Sequence, residues 1–282
     1  MTPIRLREGI RKVVAGLQGN GSTVGFVPTM GALHRGHLQV IDIALSQCDH
    51  VVVSIYVNPT QFNDAKDLET YPRDLGADVE LLLPYGEKVT VFAPDSSEVY
   101  GEHVASISYD FQGLEKVMEG SFRPGHFEGV GTVLKLLFKI VQPDKGFFGE
   151  KDFQQLQIIR KLVEIENIPI EIIGVPIQRE SDGLALSSRN RKLSEAHRNA
   201  APLLHSILQQ VRSDFGKKDI LSIHKWVADQ FQKAPLLNLE YFEIAQTIDL
   251  EPVQKIQQGR QYRAFLAVFA GDVRLIDNIA LI

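Results

Sequence analysis

Apolar positions along this chain follow two alternating rhythms. Short apolar runs at 24–27, 51–57, 89–92, 146–148 and 170–175 read as strands, the first two, rich in β-branched and aromatic residues, as buried ones. Between them apolar residues recur three and four apart: Leu38, Ile41, Ala44, Leu45 and Cys48; Leu75, Val79 and Leu82; Leu156, Ile159 and Val163. That is the spacing of one buried helix face. The apolar stretch 130–141 predicts a core helix ended before Pro143, and Ile10, Val13, Val14 and Leu17 predict a surface helix near the start. The first strand, helix and second strand take about 34 residues, the size of one βαβ unit. Pro28, with no N–H for a ladder, is predicted to end the first strand. Pro72 is predicted near the first turn of the helix that carries Leu75. A run at 104–109 reads as a further strand, and the Gly- and Pro-rich 119–129 as a loop.

The rhythm changes at Ser194. Helical spacing covers 194–215 and 219–233, and strand-like runs follow at 239–245, 263–270 and 273–281, with turns around Gly259 and Gly271. Alternating strands and helices predict an α/β domain with a parallel sheet; helices followed by hairpin-type strands predict a smaller α+β domain. The expected division is 1–183 and 184–282. No repeat or low-complexity linker interrupts it.

Composition narrows the class. The chain has 282 residues, 44% hydrophobic and 23% charged, enough to bury a proper core. No apolar run reaches the ~20 residues that span a bilayer, so no membrane role is expected. A formal charge of −5 argues against a general nucleic-acid surface. The single cysteine, Cys48, sits in a helical apolar pattern and reads as a small buried hydrophobe, which fits a reducing cytoplasm.

The candidate chemistry lies where strands hand over to helices. Met30, Gly31, Ala32, Leu33, His34, Arg35, Gly36 and His37 form the first such turn. A helix N-terminus there offers unpaired N–H groups and a partial positive charge to phosphate, and His34 and His37 add donors. Two histidines three apart also occur in metal sites, but zinc needs a third and usually a fourth ligand. Asn58 and Gln61 follow the second strand, in a loop closed by Phe62 and Asn63, at the sheet edge where ligands of open α/β folds bind. Gly149, Glu150, Lys151, Asp152 and Gln155 repeat the strand–turn–helix pattern. Arg123 and His126 make their loop a candidate flap over an anion. Ser187, Ser188 and Arg189 combine short donors with a planar charged fork, a compact phosphate grip, although many loops contain such a triplet. No GxxxxGK[ST], no GxGxxG after a strand and no GxSxG occurs, which argues against P-loop ATPases, that type of dinucleotide fold and serine hydrolases.

The His-x-Gly-His turn resembles the signature of the nucleotidyl-transferase superfamily. Taken together, PTMGALHRGH, YVNPTQF, RPGHF, FGEKDFQQL, LALSSRN and RLIDN, in this order along the whole chain, resemble the pantoate–β-alanine ligase family. The resemblance implies a Rossmann-like first domain, a smaller α+β second domain and a homodimer. It implies use of ATP with Mg²⁺, attack of pantoate on the α-phosphate, and attack of β-alanine on the resulting pantoyl-adenylate. It further implies His37 as proton donor, with His34, Lys151 and Arg189 as the other catalytic groups. ATP is expected against residues 30–37, Gly149, Glu150, Lys151, Asp152, Gln178, Leu186, Ser187, Ser188 and Arg189. Pantoate is expected against Gln61 and Gln155 with Asn58 beside them, and Pro28, Met30 and Phe62 against its gem-dimethyl carbon. No metal ligands are assigned. The rival readings are a small nucleotidylyltransferase of the same superfamily and a non-catalytic nucleotide-binding module.

Overall fold

The computed structural model describes residues 1–62 and 68–281. Asn63, which closes the loop expected after the second strand, lies outside the described residues. The chain divides into two compact units: Met1–Glu150 with Gln155–Pro176, and Lys151–Gln154 with Ile177–Ile282. The division after Pro176 differs from the one read at 183/184, which would cut a small hairpin where Arg179 bridges Ala185.

The first unit is a five-stranded parallel sheet: β1 (Val24–Thr29), β2 (His50–Ile55), β3 (Val89–Phe92), β4 (Lys145–Gly149) and β5 (Glu171–Val175), in the order β3-β2-β1-β4-β5. Helices α1 (Arg7–Gly19), α2 (Arg35–Leu45), α3 (Leu75–Leu82), α4 (Ser96–Tyr100), α5 (Glu119–Phe122), α6 (His126–Val141) and α7 (Phe153–Ile165) follow in chain order. Both sheet faces are covered, so the strand interiors are apolar: Val24, Phe26, Val51, Val52, Val53 and Val91 are wholly buried. On one side Val40, Ile41 and Ala44 of α2 and Leu82 of α3 pack on Val51, Val53 and Val91. On the other, Phe138 of α6 meets Phe26 and Phe148 edge-on at 6.1 and 6.4 Å. Each such side chain contributes about 1.5–3 kcal/mol through burial. Cys48 lies beyond α2, which ends at Leu45, yet it is buried in the first of these clusters as expected, and burial raises its thiol pKa above the ordinary value.

Several local expectations are corrected. Pro28 does not end β1; it pairs in register with Ser54 of β2. The pairing of β1 with β4 stops at Phe26, so at Pro28 the strand is an edge on one side, where a missing N–H is tolerated. Pro72 does lie near the first turn of α3, as expected, two residues before the N-cap Asp74, whose side chain accepts from Ala77 N. The run 104–109 forms no ladder among the described residues. Val104 and Ile107 are exposed, and the Ile107 N–H donates to Thr132 Oγ1 instead. β-propensity had no edge to pair with there. The loop read at 119–129 is mostly helical, because α6 starts at His126 and runs through Gly129.

The second unit holds α8 (Glu195–Ala200), α9 (Leu203–Asp214), α10 (Ile220–Gln232) and an antiparallel sheet β6 (Asn238–Gln246), β7 (Tyr262–Ala270) and β8 (Val273–Ala280), in the order β6-β7-β8. The helical spacing read over 194–215 is carried by two helices, separated at Ala201–Pro202. Tyr262, Ala264, Leu266 and Val268 of β7 join Leu204, Leu208, Ile223 and Val227 in one core. The opposite face of β7 receives Phe153, whose ring lies 6.0 Å from that of Phe265. That contact explains why Lys151–Gln154 groups with this unit, although the chain reaches it from β4.

Candidate active site

In the first unit the strand order reverses direction between β1 and β4, the place where open α/β sheets bind ligands beyond their carboxyl ends. The turn from β1 into α2 lies there. His34 is the N-cap of α2, and its Nδ1 accepts from Gly36 N at 3.1 Å; His37 Nδ1 accepts from His34 N at 3.3 Å. The two rings lie 4.1 Å apart. Each Nδ1 is an acceptor, so in the neutral rings the proton sits on Nε2. The histidines therefore serve the helix as a reciprocal capping box and carry donors on the other ring nitrogen. No acidic side chain occupies the first turn of α2, so no charge of that turn competes with an anion for the helix N-terminus.

This turn is held in shape by a residue the sequence analysis missed. Asp78 of α3 is buried, and its carboxylate accepts from Leu33 N at 2.6 Å and Ala32 N at 3.0 Å. Gly31 (φ +79°) and Ala32 (φ 50°) both adopt left-handed backbone. A Cβ on Gly31 would lie 2.8 Å from Asp78 Oδ2, so glycine is what lets the carboxylate in. A signal was present in the sequence. Asp78 falls on the same helical stripe as Leu75, Val79 and Leu82, where a charge has no reason to be unless something buried meets it. We expect Asp78→Asn to set an amide N–H₂ against a backbone N–H, costing about 1–3 kcal/mol for the pair left unmade. Its turnover rate and thermal midpoint should fall together; a variant unchanged in both would show that the turn holds without the carboxylate.

The residues after β2 form a second group. Asn58 is 1% exposed and saturated: Nδ2 donates to Gln61 Oε1 and to Gly129 O, both at 3.1 Å, and Oδ1 accepts from Thr60 and the Tyr100 hydroxyl. Burial pushes the Tyr100 phenol up to about 12, so it stays protonated and donates. Asn58 is thus tied to Gln61, whose Nε2 reaches Met30 Sδ at 2.8 Å. The structure brings Asn58, Gln61 and Met30 together. Phe62, half-buried, packs edge-on to Tyr71 at 5.5 Å, and Pro28 is half-buried in β1. His126 is no flap: it is buried, its Nδ1–H donates to Gln61 O at 2.9 Å, and its Nε2 accepts from Arg123 at 3.1 Å. Its role is to pin the Gln61 turn. Gly149 ends β4, Glu150 opens the short 3₁₀ turn Glu150–Asp152, and Gln155, half-buried, lies in the first turn of α7.

In the second unit Lys151 is mostly buried, with Nζ 3.8 Å from the exposed carboxylate of Asp152. Gln178 and Leu186 close a small hairpin through Leu186 N to Gln178 O at 2.9 Å. Its end carries Ser187, which caps the 3₁₀ turn Ser188–Lys192 by accepting from Arg189 N at 3.2 Å. Arg189, Arg191 and Lys192 all lie in that turn, and Arg189 is exposed. Among the described residues no group of three His, Cys, Asp or Glu is placed to cage a metal ion.

A family model described as pantoate–β-alanine ligase matches residues 3–280. The chain is 50% identical to a pantothenate synthetase of Christiangramia forsetii over 281 residues, covering 100% of this chain and 99% of the relative. It is 48% identical to one of Flavobacterium psychrophilum over 259 residues, 92% of each. Among solved structures, a pantothenate synthetase of Thermus thermophilus superposes with a TM-score of 0.89 at 38% identity, covering 100% of this chain and 99% of that one. A pantoate–β-alanine ligase of Francisella tularensis, complexed with β,γ-ATP and β-alanine, superposes with a TM-score of 0.81 at 35% identity, covering 100% and 98%.

Proposed function

We infer residue roles from one premise: this chain belongs to the pantoate–β-alanine ligase family and is an enzyme that forms the amide bond between pantoate and β-alanine. ATP is the co-substrate, a reading supported by the Francisella tularensis complex. A carboxylate oxygen of pantoate bonds to the α-phosphorus, and the bridging oxygen leaves with pyrophosphate. The amine of β-alanine then attacks the acyl carbon of pantoyl-adenylate, loses a proton, and AMP departs.

The observation that carries this reading is the His34–His37 capping box at the switch point of the sheet. The α2 N-terminus and the two Nε2–H donors meet the charge that builds on the bridging oxygen and pyrophosphate. His37 is the proton donor. Residues 30–37 with Gly149, Glu150 and Asp152 hold the nucleotide, Gln178 and Leu186 support it, and Ser187, Ser188 and Arg189 grip the β- and γ-phosphates. Lys151 neutralises the repulsion between carboxylate and α-phosphate. Gln61 and Gln155 hydrogen-bond pantoate, and Pro28, Met30 and Phe62 take its gem-dimethyl carbon. Asn58 keeps its place beside Gln61 as an orienting group. Holding two anions together in one geometry supplies most of the acceleration. Mg²⁺ would be held mainly by phosphate oxygens and water. The enzyme works as a cytoplasmic homodimer, as the family resemblance implies; among the described residues no helix is long and apolar enough to cross a membrane.

Oxygen tracing tests the chemistry. With pantoate labelled by ¹⁸O in its carboxylate, one label is expected in AMP for each pantothenate formed. Unlabelled AMP would exclude the adenylate. AMP released with pantoate but without any dependence on β-alanine would favour a different acceptor.

A further inference from the structure

One segment singled out in the sequence has no part in the chemistry above: the terminal Arg274-Leu275-Ile276-Asp277-Asn278. Arg274 pairs with Glu240 on the neighbouring part of the sheet. The next polar pair is different. Asp277 and Asn278 are 4% and 2% exposed, in the middle of β8. Consecutive strand residues point to opposite faces of a sheet, and these two use both.

On one face Asp277 receives a bidentate pair from Arg179, with Nη1 to Oδ2 at 2.7 Å and Nη2 to Oδ1 at 2.9 Å. Arg179 belongs to the hairpin that ends in Ser187, Ser188 and Arg189, and its Nη1 also donates to Gly183 O at the hairpin tip, at 3.1 Å. On the other face Asn278 Nδ2 donates to the backbone oxygen of Lys151 at 2.8 Å. Its orientation is enforced. Arg263 can only donate, and it donates to Asn278 Oδ1, so the amide N–H₂ must face Lys151. Arg263 is itself held over the Phe153 ring, 3.9 Å from its centroid, two residues beyond Lys151. The turn carrying Lys151 is thus clamped to β8 through its main chain and through Phe153.

We propose that Asp277 and Asn278 are positioning residues for the ligase reaction, Asn278 setting Lys151 and Asp277, through Arg179, setting the Ser187–Arg189 phosphate grip. One strand then fixes two charged groups from distant parts of the chain in a single frame. This rests on the roles given above to Lys151 and to Ser187–Arg189. A rigid frame matters because a shift of about 1 Å in a reacting group costs on the order of 10²-fold in rate.

The two neighbours predict opposite kinetic signatures, which a merely structural role does not. Asn278→Asp keeps shape and the acceptor for Arg263 but turns a carboxylate oxygen toward the Lys151 carbonyl. Single-turnover adenylation at saturating ATP and pantoate is expected to fall roughly 10–100-fold, with both KM values changed less than about threefold. Asp277→Asn loosens the hairpin: KM for ATP is expected to rise roughly tenfold, the worth of one weakened charged contact, with kcat changed less. In Lys151→Gln the further change Asn278→Asp is expected to have no added effect. All variants are assayed below their own unfolding midpoints, and Asn278→Ser, smaller and uncharged, replaces Asn278→Asp if the latter does not fold. A slow Lys151→Gln beside a normal Asn278 variant, or multiplicative losses in the double variant, would overturn the proposal alone. Equal kcat and KM effects at both positions would overturn it as well. A wild-type rate in Lys151→Gln would overturn the role of Lys151 and the proposal together.

Discussion

His37→Ala is expected to slow pantoyl-adenylate formation by about 10²–10⁴-fold, the range for a positioned acid, while leaving the fold almost intact. His37 Nδ1 accepts from the His34 N–H, and His34 Nδ1 accepts from the Gly36 N–H. These bonds hold each ring in one tautomer and direct its proton to Nε2. Losing the ring removes a donor at the helix N-terminus, where the proposed mechanism puts the charge of the departing pyrophosphate. It also removes one capping bond, but a cap is worth only about 0.5–2 kcal/mol. A group that mattered only to the helix would show that modest loss of stability and little change in rate. Rapid-quench measurement of pantoyl-adenylate, together with thermal unfolding, separates the two. A variant that retains more than half the wild-type rate would remove His37 from the chemistry.

Gly129→Ala is the second large effect expected, and its sign runs against intuition. In an exposed helix the change would stabilise by about 1 kcal/mol, because alanine is the better helix former. Gly129 of α6 is instead where the helix meets the turn after β2. A Cβ there would lie 2.3 Å from Thr60 O, 2.6 Å from Thr60 C and 2.8 Å from Gln61 Cα. These are backbone atoms, which cannot rotate away. Overpacking of this kind costs up to about 3 kcal/mol, so the net loss is about 2 kcal/mol and the midpoint should drop by about 4–8 °C. The function should suffer more than the fold. The displaced segment carries Gln61, and Asn58 reaches Gly129 O to hold it. KM for pantoate is expected to rise at least tenfold, with KM for ATP nearly unchanged. An unchanged midpoint with an unchanged pantoate KM would mean that the helix and turn separate without cost.

Much of this was legible in the residues. The buried strands, the helix faces and the change of rhythm at Ser194 all follow from periodicity, which reports burial directly. The His34–His37 turn was legible because a strand, two glycines and a helix start leave few alternatives. Where reading failed, the deciding partner lay far along the chain. The run 104–109 has strand composition but no strand beside it, and Ile107 bonds to Thr132 instead. Pro28 sits inside β1 because β4 diverges after Phe26. His126 has the look of a loop residue beside Gly125, yet it is buried and tied to the carbonyl of Gln61.

By itself, then, the sequence determined which segments are buried strands and helices, which turns carry histidine, lysine and arginine, and to which family those turns belong, because local pattern and residue chemistry are properties of short stretches. Only the tertiary structure decided that Asp78 shapes the His34–His37 turn, that Asn58 serves Gln61, and that Asp277 and Asn278 hold Arg179 and Lys151 from opposite faces of one strand. A buried polar group is stable only beside its partner, and those partners lie 45, 98 and 127 residues away for Asp78, Asp277 and Asn278, a separation that no window of sequence spans.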